Sequence, residues 1–229
     1  QHIVEDTSAA TTDATDVAAN TLCQAPATNA SVWFTYTDTT GAGIVADMSA
    51  SNYSGGFIIT DGVPASDGSN LLSCGPGIAA ARGAAGTTYY IAAISDTALN
   101  GGTLDVTFSP APPAPLASLT VDPKGTAYKD GSARITGTYT CLNADGWASD
   151  IEGSLTQRIG RAKISGFFVA YPLVCDGTTQ PWEGWVTSDT GLFAGGKAAN
   201  VSIAWACGLL ECTVADASAT VQLSKGSRK

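Results

Sequence analysis

Four prolines fall within the six residues Pro110-Ala111-Pro112-Pro113-Ala114-Pro115. Proline has no backbone N–H and holds φ near −65°, so such a run cannot lie inside a helix or a central strand and favours an extended, semi-rigid conformation. In a chain of 229 residues it separates two stretches, each the size of an ordinary domain. The expected organisation is a first domain over 1–108, a linker over 109–117 and a second domain over 118–229.

The formal charge of −9 divides unevenly across that boundary. Residues 1–115 carry ten acids and a single base, Arg82, whereas residues 116–229 carry ten of each. Phosphate backbones and anionic membranes would be repelled by the first half, so nucleic acid is not an expected partner. No run of about 18 apolar residues is present to span a bilayer as a helix.

Only 14% of residues are charged, while Gly, Thr, Ser and Ala are abundant, a composition suited to short strands and tight turns. Residues 32–36, 43–47, 56–60, 87–94 and 103–108 alternate or run apolar between Asp-Gly, Pro-Gly and Asn-Gly-Gly turns. Downstream, 119–121, 133–141, 149–155, 162–171, 182–187, 201–207 and 219–223 do the same, with turns at 129–131, 176–177 and 194–196. The fold class expected is all-β: two β-sandwich domains, the first jelly-roll-like and the second, with seven short strands, immunoglobulin-like. Residues 8–22 are Ala-rich enough for a helical turn, but their threonines weaken it.

Six cysteines, Cys23, Cys74, Cys141, Cys175, Cys207 and Cys212, form an even set with no CxxC pair and one histidine, His2. That composition favours disulfides over a zinc site and hence an oxidising compartment. Keeping every bridge inside one domain pairs neighbours: Cys23–Cys74, Cys141–Cys175 and Cys207–Cys212. A first residue other than Met, Gln1, suits signal-peptide removal. The expected location is secreted, or the cell surface.

The motifs Ser31-Val32-Trp33-Phe34-Thr35-Tyr36-Thr37, Phe57-Ile58-Ile59, Leu72-Ser73-Cys74 and Gly86-Thr87-Thr88-Tyr89-Tyr90-Ile91 resemble the bacterial pre-peptidase C-terminal-like domain over about residues 5–108. The resemblance implies a jelly-roll-like sandwich used as a secreted accessory or carbohydrate-binding module. Gly75-Pro76-Gly77 stands where acidic residues commonly follow the cysteine in that family. The second half, with Gly137-Thr138-Tyr139-Thr140-Cys141, Val174-Cys175-Asp176-Gly177 and Phe193-Ala194-Gly195-Gly196, looks like an uncharacterised module of secreted proteins from high-GC Gram-positive bacteria.

No catalytic constellation is legible. The one imidazole lies two residues from the start of the chain, and there is no phosphate loop, HExxH pair or dinucleotide fingerprint. Asp150, Glu152, Glu183 and Glu211 are the carboxylates from which a hydrolytic pair would have to be drawn. Asp61-Gly62 and Asp67-Gly68 offer hard oxygens without the register of a calcium loop, so neither metal nor cofactor is expected.

Gln180-Pro181-Trp182-Glu183-Gly184-Trp185 is the best binding segment, because an odd separation along a strand sends Trp182 and Trp185 to opposite faces. One should pack in the core while the other stacks on a ligand or a partner. Self-association is expected to involve Ile3 and Val4, in a β-competent N-terminal segment, and Lys225, Arg228 and Lys229 at the basic C-terminus, meeting the acidic first domain of a neighbour. The sequence thus leads to a non-catalytic extracellular structural or interaction protein, such as a filament subunit, whose partner is itself or another extracellular protein. The alternative is a carbohydrate-binding accessory module with polysaccharide as ligand.

Overall fold

The structure, a computed structural model, describes residues 1–65, 67–97 and 101–226. It is all-β and divides into two compact units, Gln1–Pro112 and Pro113–Lys229. Among the described residues no helix is long and apolar enough to cross a membrane.

The first unit contains β1 (His2–Asp6), α1 (Ala14–Cys23), β2 (Asn29–Thr37), β3 (Ile44–Asp47), β4 (Gly55–Asp61), β5 (Leu71–Pro76), β6 (Ile78–Ala81), β7 (Thr88–Ser95) and β8 (Thr103–Pro110). They form two four-stranded sheets, β1-β8-β3-β6 and β2-β7-β4-β5. The alternation in β8 does what its pattern dictates: Leu104, Val106 and Phe108 are buried against Ile44, Ile59 and Ile91 while Thr103 and Thr107 face water. Strand β4 is buried almost throughout because both its faces are covered. Ile58, with Ala92 and Ile94 of β7, packs on the far side against Ala19, Cys23 and Trp33. Helix α1 reaches that place through a capping box, in which Asp13 accepts from the Asp16 backbone and Asp16 returns the bond. The Cys23–Cys74 disulfide ties it to β5.

The second unit contains β9 (Leu116–Leu119), β10 (Lys124–Tyr128), β11 (Ala133–Leu142), a 3₁₀ turn (Gly146–Ala148), β12 (Asp150–Ile159), β13 (Ala162–Ala170), β14 (Asp176–Val186), β15 (Gly196–Cys207) and β16 (Cys212–Gly226). Strands β13-β12-β15-β16 make one face and β14-β11-β9 the other, the division of an immunoglobulin-like sandwich. Strand β10 joins them, since it pairs antiparallel with β11 and parallel with β16. Between the faces lie Ile135, Ile151, Leu155, Phe168, Trp182 and Leu223. The Cys141–Cys175 and Cys207–Cys212 bridges close the end at which the chain enters from Pro113. There the backbone N–H of Asp145 donates to Cys207 and that of Leu173 to Gly146, stitching three loops together. Strands enter the expected linker from both sides, β8 ending at Pro110 and β9 starting at Leu116.

Candidate functional site

From Pro181 to Val186 strand β14 alternates between core and solvent, which separates the two tryptophans. Trp182 is 5% exposed, stacks on Phe168 at 5.5 Å between ring centroids, and donates its Nε1–H to the Thr120 carbonyl at 2.9 Å. Phe168 fits because Gly153 and Gly184 carry no Cβ: one built at Gly184 would lie 2.5 Å from the ring. Trp182 is therefore a core residue.

Trp185 faces outward at 39% exposure. It stacks on Tyr128 with 5.3 Å between centroids, and the Arg134 guanidinium lies 5.9 Å from its ring centre. Arg134 donates to Glu183 Oε2 through Nε at 2.8 Å and pairs through its terminal nitrogen at 2.7 Å, while Trp185 Nε1–H donates to Oε1 at 2.9 Å. The Trp185 bond, opposed by partial burial and reinforced by Arg134, holds the Glu183 carboxyl below its ordinary range. With both oxygens engaged, this carboxylate suits a fixed polar rim beside an aromatic ring better than proton transfer.

A larger surface lies on the opposite sheet. The outer face of an exposed sheet ordinarily reads polar. On β13-β12-β15-β16 the register instead sorts it into rows running across the strands. Nearest the end at which the chain enters, Asp150, Trp205 and Val214 stand side by side. Val169, Glu152, Ile203 and Asp216 form the next row, and Trp205 Nε1–H donates to Glu152 Oε1 at 3.2 Å. Below it come Phe167, Ser154, Val201 and Ser218, then the uncharged row Ser165, Thr156, Ala199 and Thr220. At the far end Arg158 pairs with Lys163, and Lys197 pairs with Gln222, which also neighbours Lys124 on β10. Phe167 is 56% and Val201 50% exposed. One strand alone shows none of this, because each contributes only one residue to each row.

The remaining candidate carboxylates do not converge with Glu183. Asp150 and Glu152 sit two residues apart on β12, and burial, then Glu152, pushes the Asp150 carboxyl up. Glu211 belongs to the turn between β15 and β16. Among the described residues no group of three or more His, Cys, Asp or Glu side chains could hold a metal ion. Ile3 and Val4 lie in β1, already paired with β8 at the edge of its own sheet; Ile3 packs against the core and Val4 is exposed. Lys225 lies exposed near the end of β16, and Arg228 and Lys229 fall outside the described residues.

Three solved structures illustrate what the chain is similar to in shape. The Parabacteroides merdae β-glucuronidase shares 7% identity at a TM-score of 0.29, with 84% of this chain and 27% of that one covered. A glycosyl hydrolase family 2 member from Bacteroides cellulosilyticus shares 9% at 0.25, covering 84% and 26%. A β-galactosidase-like protein of Bacteroides fragilis shares 12% at 0.23, covering 84% and 32%. The chain thus spans about a quarter to a third of those proteins. No curated protein matches the sequence. No pre-peptidase C-terminal-like domain is identified, and the all-β fold is what stands of that resemblance. In sequence, residues 115–213 match the Family of unknown function (DUF6299), a match confined to the second unit.

Proposed function

We propose that the chain is a non-catalytic extracellular structural or interaction protein, a self-associating subunit of a cell-surface or secreted assembly. One observation carries this reading: Phe167, Val169, Val201, Trp205 and Val214 all point outward on a single sheet face. Contiguous exposed apolar surface costs solubility unless something covers it, and on soluble proteins it marks contact sites. The three disulfides suit an oxidising environment. A second reading, a carbohydrate-binding module, is favoured by Trp185 beside the Arg134–Glu183 pair, where an aromatic edge and fixed polar groups could meet a sugar.

Electron microscopy and sedimentation of the full chain test the first reading. Particles larger than a monomer are expected, and they should be lost in the Phe167→Ser, Val201→Thr double variant. A strictly monomeric chain at high concentration, together with retention on a polysaccharide that Trp185→Ala abolishes, would favour the second.

A further inference from the structure

We infer that the outer face of β13-β12-β15-β16 is the interface of a two-fold dimer, its partner a second copy of this chain. The inference rests on the reading of the chain as a self-associating protein and names the surface and the symmetry.

The face is polar in the electrostatic sense. Arg158, Lys163 and Lys197, with Lys124 beyond Gln222, line one end, and no described acid interrupts that row. Asp150, Glu152 and Asp216 stand toward the other end, among Val169, Ile203 and Trp205. Between the charged ends lie the row containing Phe167 and Val201 and an uncharged Ser/Thr/Ala row. None of the four cations forms an ion pair with another described residue.

A two-fold axis lying in the plane of the contact and running across the strands would stack two copies face to face with strand directions reversed. That operation keeps each strand over its own counterpart and inverts the order of the rows. The basic end of each copy then meets the acidic end of the other, so Arg158 on β12 lies over the partner's Glu152 on the same strand. The apolar and uncharged rows meet in the middle. This arrangement has an uncharged centre, Phe167 and Val201 among Ser, Thr and Ala, between charged ends, and the contact is isologous because the same patch serves both copies. A two-fold axis running along the strands would superpose like charges, which disfavours it.

Size bears on strength. Successive rows lie about 6.8 Å apart along a strand and strands about 4.8 Å apart, so five rows on four strands span on the order of 500 Å² in projection. Standard interfaces take about 800 Å² of accessible surface per partner. The dimer should therefore dissociate on dilution and weaken with salt.

Charge exchange in the full chain tests the proposal by sedimentation equilibrium. The first variant carries Arg158→Glu and Lys197→Glu, the second Glu152→Lys and Asp216→Lys. In either variant alone both charged contacts become repulsive, so affinity should fall at least about 100-fold. An equimolar mixture restores opposite charges at both contacts and should recover dimers near the native affinity. A misfolded variant could not regain affinity in the mixture, and circular dichroism checks the fold of each. Native-strength dimerisation of either variant, or a mixture that stays monomeric, would overturn the interface while leaving self-association through another surface intact. A native chain that is monomeric throughout would overturn both readings, including when it is monomeric and binds heparin through the basic row.

Discussion

Asp38 shows how a single carboxylate fixes a turn. It is buried and accepts from the backbone N–H of Thr40 at 2.8 Å, Gly41 at 2.9 Å and Gly43 at 2.7 Å, with the Thr40 hydroxyl as a fourth donor at 2.8 Å. Gly41 and Gly43 supply φ values of 77° and 89° that bring those donors round. The Gly43 bond, opposed by burial and assisted by Thr40 and Gly41, lowers the carboxyl to about 2. A group held below its unfolded value of about 3.9 stabilises the fold above that value and loses the effect as pH falls toward the folded one. Asp38→Asn should therefore lower stability at neutral pH and flatten the acid limb between about pH 4 and pH 2; an unchanged limb in acid-titrated urea melts would contradict this. The tryptophans make a second prediction. Trp182→Ala empties a stacked core position and should cost about 3–5 kcal/mol, whereas Trp185→Ala removes an exposed stack and should cost about 1 kcal/mol or less. Equal losses in urea unfolding would mean that the two faces of β14 have been misassigned.

At the scale of elements, legibility followed the strength of the local pattern. Residues 103–108 and 133–141 alternate so cleanly that their strands and inward faces could be read directly, and the odd spacing of Trp182 and Trp185 foretold their separation. Helix α1 was muted by threonines with poor propensity; its capping box and the apolar contacts of Ala19 and Cys23 stabilise it where propensity does not. Strand β5 runs through Gly75 and Pro76, and Gly77 alone separates it from β6, although Gly75-Pro76-Gly77 reads locally as a turn. The N-terminal segment was legible as β-competent, yet nothing local said that it would pair with β8 in its own sheet. The row pattern on β13-β12-β15-β16 was hidden for a related reason: it depends on the register of four strands drawn from residues 150–226.

At the scale of the molecule, the chain divides at Pro112–Pro113 inside the proline run; keeping disulfides on either side of it fixes Cys23–Cys74, and pairing sequence neighbours among the remaining four cysteines matches the bridges found. The charges of residues 116–229 cancel in the sequence, ten acids against ten bases, and only folding brings cations from β10, β12, β13 and β15 to one end of the sheet. The parallel pairing of Lys124–Tyr128 with Gln222–Gly226 has a mechanical consequence. A subunit tethered by both ends is pulled at Pro113, ahead of β9, and beyond Gly226, so the two strands are drawn past one another along their own axes. The hydrogen bonds between them then bear the load together in shear, whereas a hairpin pulled at its open end parts one bond at a time. Single-molecule extension should show the second unit yielding in one abrupt, high-force event, and Ala127→Pro, which removes a donor on the side of β10 that faces β16, should lower that force; gradual yielding at low force would contradict it. A β10 that lies between the two sheet faces is thus also the latch that tension must shear before the second unit can lengthen.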